Sequence, residues 1–330
     1  MTANRPAPSA ASPSGRPAPA PVAVLGECVA DAFVTGSGTD PGRPSLGLEV
    51  LPGGSPANTA VALARLGTPT RFLGRLSDDV FGRLFRDHLT RSGVDLGGTV
   101  AAPEAGTLAV AELDETGRAA YAFHAEGTAD WQWTASELAT AAAPPVSCLH
   151  TGSLALAKAP GGPAVEELLA EVRERATVSV DPNVRPLLVD PAEVRARMPH
   201  WCAAADILRL SDDDLALLHP GAGPERAADL FHADGARLVL VTLGAGGVFA
   251  SLDGKRLRVA APAVDVVDSV GAGDSFTAGF LHALHGAGLL GGRLEHLDTE
   301  QLETALHFGT RVAAAVCTVR GANPPWADDL

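Results

Sequence analysis

Short, solidly apolar runs alternate with amphipathic stretches through the second half of the chain. The runs near 147–151, 177–181, 207–210 and 238–242 have the length of buried strands. Helical periodicity marks 163–175, 191–204, 212–218 and 224–233, and a last helix is predicted at about 299–318. Strand–helix repetition at this spacing predicts an α/β fold, a mostly parallel sheet with helices on both faces. The first half starts the same way. Val22 to Leu25 reads as a buried strand ending in Gly26-Glu27, and Arg71 to Leu73 as another. A small-residue helix over 61–67 stops at Gly67, and Asp78-Asp79 opens a helix to about Arg91. Residues 107–113 and 118–123 differ, because apolar positions there alternate with polar or small ones. They predict a hairpin around Asp114-Glu115-Thr116-Gly117 with one exposed face. Residues 35–52, rich in Gly and Pro, read as irregular. With the hairpin they could form a small sheet lying over the main one as a lid.

One stretch carries chemistry. Val264 to Val267 reads as a strand, and Gly271-Ala272-Gly273-Asp274 follows it as a tight turn. A helix begins at once, with Phe276, Phe280, Ala283 and Leu284 on one stripe. Free amides and the positive end of a helix dipole then converge on one point, which suits an anion. A carboxylate there cannot bind the anion. Asp274 is placed to take a proton from whatever attacks it. The reading is a phosphoryl-transfer site; an ordinary strand-to-helix turn with an Asp near its N-cap remains the alternative.

Composition narrows the classes. The 330 residues carry a net charge of -14, from 25 basic against 39 acidic side chains, with no Lys/Arg-rich run. Nucleic-acid binding is therefore not expected. Cys28, Cys148, Cys202 and Cys317 show no CxxC spacing and read as buried thiols in a reducing cytoplasm. No apolar run approaches the roughly 20 residues of a membrane helix. Residues 1–21, rich in Pro, Ala and Ser, read as a disordered extension. GxxxxGK[ST], HRD and DFG are absent, and no GxGxxG opens a helix, which excludes a P-loop and disfavours protein-kinase and dinucleotide folds. His282 and His285 read as a solvated helix face.

Asp268-Ser269-Val270-Gly271-Ala272-Gly273-Asp274-Ser275-Phe276 resembles the C-terminal signature of the ribokinase-like (PfkB) carbohydrate kinases. Gly53-Gly54-Ser55-Pro56-Ala57-Asn58, continued by Gly67, Gly74, Asp78-Asp79 and Gly82, resembles their N-terminal signature, about 215 residues upstream. The resemblance spans about 22–325. It implies one kinase domain over 22–330, with lid segments at about 33–52 and 103–130, and a lid that mediates dimerisation in many relatives. It implies Asp274 as catalytic base, the amides of Gly271, Ala272 and Gly273 as an anion hole, and Asp31, Gly53, Gly54, Asn58 and Arg185 around the sugar. Ser211, Thr242, Gly244, Gly247, Gly273 and Asn323 fall at ATP-binding positions. Asp214 falls at a Mg²⁺-linked position, through water because Asp replaces the family's Glu. Asp268, Val270 and Gly321 fall at a monovalent-cation (K⁺) site. Asp181-Pro182-Asn183-Val184-Arg185-Pro186 resembles an element of fructokinases and 2-keto-3-deoxygluconate kinases. Many relatives carry Arg after the aromatic pair of the hairpin, where this chain has His124-Ala125, and this favours the neutral sugar. An ATP-dependent fructokinase is thus expected. A kinase for the keto-acid or for another sugar of the PfkB family is the first alternative and a non-catalytic sugar-binding regulator the second.

Overall fold

The structure is a computed structural model and describes residues 20–37, 43–113 and 119–330. Residues 1–19 of the predicted extension, and the predicted turn at 114–117, lie outside the described residues. Eight strands form the main sheet, in the order Thr70–Leu73, Val22–Leu25, Cys148–Gly152, Thr177–Asp181, Ile207–Ser211, Leu238–Thr242, Val248–Leu252 and Lys255–Val259. The first six are parallel; Val248–Leu252 runs antiparallel to them, and Lys255–Val259 antiparallel to Val248–Leu252.

The solid apolar strands have this form because both faces of the sheet are covered. Successive side chains point to opposite faces. Ala23, Leu25, Leu149, Val178, Val180, Leu208 and Leu210 face the helices Gly161–Val172, Pro191–Ala204 and Pro224–Ala233. Val22, Val24, Ile207, Leu238 and Leu240 face the helices Ser55–Arg65, Val80–Arg91, Ala272–Gly286 and Thr299–Val316. Every parallel strand therefore ends on the same rim, where ligands of such sheets gather. Among the described residues, no helix is long and apolar enough to cross a membrane.

A second sheet, in the order Leu46–Gly53, Val29–Ser37, Thr107–Leu113 and Ala119–His124, lies over that rim. Its second strand leaves the main sheet directly, through Gly26-Glu27-Cys28. The buried carboxylate of Asp130 ties the root: it accepts from Cys28 N–H at 2.9 Å and from Thr107 Oγ–H at 2.6 Å. Leu46–Gly53 is a regular strand where glycine and proline content predicts irregular chain. The neighbour Val29–Ser37 supplies its ladder, and pairing overrides weak local preference.

Two sequence readings are corrected. Val264 to Val267 is not a strand. The chain leaves the sheet after Val259, Val267 N–H donates to the Cys317 carbonyl at 2.8 Å instead of to a strand, and Val266 is 66% exposed. His282 and His285 are not on a solvated face. His282 Nδ1 shares a hydrogen bond with Thr68 Oγ1 and its ring stacks on Phe308, while buried His285 reaches the Ala20 carbonyl.

Candidate active site

Two cavities open on the rim. One, of about 540 Å³, lies beneath the second sheet, and Asp31, Phe33, Tyr121 and Phe123 line it from above. Glu27, Gly54, Asn58, Arg185, Ser211 and Asp274 line it from below. The other, of about 520 Å³, is bounded by Thr242, Gly244, Gly247, the 261–266 segment, and the helices that begin at Ala272 and Thr299. The cavities share Arg209, Ser269 and Gly273. A group held in one can therefore reach a group held in the other at that seam.

Asp274 follows the shared Gly273 and lines the sheet-covered cavity, in the first turn of Ala272–Gly286. Gly271, the N-cap, has a φ of 78° and turns the chain into the helix. Neither oxygen of Asp274 is idle. Ser55 Oγ donates to Oδ1 at 2.6 Å and Asn58 Nδ2 donates to Oδ2 at 2.8 Å. Each oxygen keeps a lone pair toward the cavity. The amide of Ala272 is not available to an anion, because it donates to the Ser269 carbonyl at 3.2 Å. Among the described residues, the amides of Gly271, Gly273 and Asp274 have no acceptor, so two of the three predicted amides are free and that of Asp274 is free in place of Ala272.

Arg209 is the element the sequence reading missed. It is 5% exposed, and it donates from Nη1 to Asp181 Oδ2 at 2.7 Å and from Nη2 to Thr242 Oγ1 at 2.5 Å. Its buried Nε has no partner among the described residues. A Cβ on Gly273 would lie 2.7 Å from both Nη atoms, so only glycine lets the helix start come so close. A buried cation thus sits against the positive end of a helix. Burial works against its charge, but Asp181, Asp214 and Asp274 together outweigh that and raise its pKa. Burial in turn pushes the Asp181 carboxyl up to about 6, despite Arg209. The sequence held a signal: one charged residue inside the apolar strand Ile207-Leu208-Arg209-Leu210.

The remaining predicted residues fall as follows. Asp31 lines the sheet-covered cavity with Arg185, and burial pushes its carboxyl up to about 6 against the pull of that guanidinium. Gly53 is outside the lining. Its role is clearance, since a Cβ there would lie 2.0 Å from Asp31 Oδ2. Ser211 caps Asp212–Leu218, and the Asp214 carboxylate accepts from Val184 N–H, Ser211 N–H and Ser211 Oγ–H. Asp268 meets Val270 and Gly321, accepting from their amides at 3.0 and 2.8 Å. Asn323 lies outside both linings, and its side-chain oxygen is held by Arg65 at 2.7 Å. Glu27, also missed, is 2% exposed at the cavity floor, and burial pushes its carboxyl up to about 7. Its place right after a strand end was the available signal.

A family model described as pfkB family carbohydrate kinase matches residues 20–329. The chain belongs to that family. This carbohydrate kinase is 34% identical over 277 residues to a fructokinase of Rhizobium leguminosarum bv. trifolii, covering 83% of this chain and 84% of the relative. It is 33% identical over 319 residues to a fructokinase of Klebsiella pneumoniae, covering 93% and 97%. Its structure is similar to that of fructokinase from Vibrio cholerae O395 in a fructose, ADP and calcium ion bound form. The TM-score is 0.77 at 28% identity, over 92% of this chain and 94% of that one. A double mutant of the same enzyme holds fructose, ADP and a potassium ion. The family and the fold make this chain an ATP-dependent sugar kinase of the ribokinase-like type.

Proposed function

We propose that this kinase transfers the γ-phosphoryl group of ATP to a hydroxyl of fructose, with Asp274 as the base. The observation that carries the reading is the Asp274 carboxylate in the sheet-covered cavity, next in sequence to Gly273, which both cavities share. Fructose fits the cavity beneath the second sheet, where Asp31 and the Asn58 side-chain oxygen accept from sugar hydroxyls and Arg185 donates. ATP fits the other, with its phosphates pointing at Gly273 and Arg209. Asp274 takes the proton as the sugar oxygen bonds to the γ-phosphorus. The bond from that phosphorus to the β,γ-bridging oxygen breaks, and ADP leaves. The amides of Gly271, Gly273 and Asp274, with Arg209, meet the charge on the transferring group.

The donor set fits a magnesium ion carried in on the phosphates of ATP. Asp213 and Asp214 offer hard oxygens at the cavity edge, and no three His, Cys, Asp or Glu side chains among the described residues form a cage of their own. Asp214 would meet the ion through water, because its oxygens already accept three hydrogen bonds. Such an ion supplies charge to offset that of the phosphates. Potassium would be held by Asp268, with the backbone at Val270 and Gly321. Leu46 and Leu48, exposed on the second sheet, favour a homodimer through that face, which sedimentation velocity reads directly. The four cysteines are free, in keeping with work in a reducing cytoplasm.

ADP release measured over fructose, 2-keto-3-deoxygluconate, ribose and adenosine tests the substrate. The highest kcat/KM is expected on fructose. Turnover of another sugar with none on fructose would overturn the assignment, and binding without ADP release would establish the non-catalytic alternative.

Asp31 adds a pH signature. Its carboxyl titrates near 6, so it is an ionised acceptor only above that pH. The fructose KM is expected to rise about tenfold per pH unit below 6, the slope of one protonation. Asp31→Asn should raise KM at every pH and remove the limb. A wild-type KM that stays flat from pH 7 to 5 takes Asp31 out of the sugar site.

A further inference from the structure

Ser55 is the first residue of the helix Ser55–Arg65, and its hydroxyl is not used at that helix end. The N-cap is Gly54 and no side-chain cap is present. The hydroxyl instead crosses to the other signature helix and donates to Asp274 Oδ1 at 2.6 Å. That length is typical of a bond to an ionised carboxylate. Asn58 stands three residues further on, on the same helix face, and its amide donates to Oδ2 at 2.8 Å. Two donors on one helix turn thus grip both oxygens of one carboxylate. A carboxylate held at a single oxygen can swing about its last torsion; held at both it cannot.

We infer that Ser55 is a positioning residue for phosphoryl transfer, fixing the Asp274 carboxylate so that a free lone pair faces the acceptor hydroxyl. The inference rests on the reading of Asp274 as the base. Ser55 lines the same cavity as Asp274, so two roles compete for its hydroxyl: a contact with the sugar, or a grip on the base. The bond already made to Oδ1 favours the grip. In Ser55→Ala, Oδ1 loses its donor and the carboxylate regains its torsion. The aim of the base is lost, while the sugar keeps its other partners.

The test is a double-mutant cycle read by steady-state kinetics, with thermal melts to establish folding. S55A is expected to lower kcat about tenfold and to leave both KM values within about twofold. S55T, which keeps the hydroxyl, should restore most of the turnover. In a D274N background, S55A should cost little more, because the group it aims is gone. An unchanged kcat in S55A overturns the assignment. So does a rise in sugar KM alone, which would make Ser55 a sugar contact, or an equal loss in both backgrounds. Near-normal turnover in D274N alone overturns the reading of Asp274 itself; a crippled D274N beside an unimpaired S55A overturns only the role of Ser55.

Discussion

Asp274→Asn is expected to lower kcat by about 10²–10⁴-fold, the range that a positioned base contributes, with sugar KM nearly unchanged. The substitution is clean because of the two partners. A carboxylate accepts at both oxygens, whereas an amide accepts at one end and donates at the other. The Ser55 hydroxyl can reverse its role and accept, while Asn58 continues to donate. Both hydrogen bonds to the helix Ser55–Arg65 therefore survive, and so does the geometry around the sugar. What disappears is the capacity to take a proton. Steady-state kinetics with a substrate-binding measurement separates the two effects. Near-wild-type turnover would remove Asp274 from the chemistry.

Arg209→Met carries the largest expected cost in stability, about 3–5 kcal/mol, the range for breaking a buried ion pair by removing one partner. Methionine fills much of the volume, so the loss is electrostatic. Asp181, 2% exposed, would be left with its charge and no cation beside it. The sign of the pH dependence follows. The folded pKa of Asp181 is raised to about 6, so its contribution to stability is full below the ordinary carboxylate range and is lost as pH rises through 6. Without Arg209 the ionised form is costlier still. The variant's deficit should be large at pH 8 and shrink toward pH 4, where Asp181 is protonated in both proteins. Urea denaturation at the two pH values measures it. An equal deficit at both would mean that lost packing, not the buried charge, sets the cost.

The parts of the fold legible in the sequence are those where local pattern and tertiary burial agree. Ile207–Ser211 and Leu238–Thr242 are strands covered on both faces, so they read as solid apolar runs. The Gly271 turn was legible because backbone shape there depends on residue type. Val264 to Val267 misled because strand preference needs a ladder partner, and here the backbone is tied to the Cys317 carbonyl instead. His285 misled because the group that covers it, the Ala20 carbonyl, is 265 residues away. The diversion of the Ala272 amide to Ser269 leaves no trace in any side chain. Asn323 is a polar residue whose use was settled by Arg65, far from it in sequence. The site's polar identities could be read, then, but how their hydrogen bonds are spent could not.

The strand order of the main sheet also bears on how the enzyme is made. Val22–Leu25 and Thr70–Leu73 pair around Ser55–Arg65, Cys148–Gly152 joins next, and each later strand adds beside the one before it. The sheet can thus assemble in the order in which the ribosome delivers it. The helix Ala272–Gly286 comes late, and it shares a core with Ala57, Ala60 and Val61 of the first helix. Until it emerges, the nascent chain carries the apolar stripe of Ser55–Arg65 uncovered. On the proposed reading of Asp274, phosphoryl transfer therefore waits until this late helix has been made and packed.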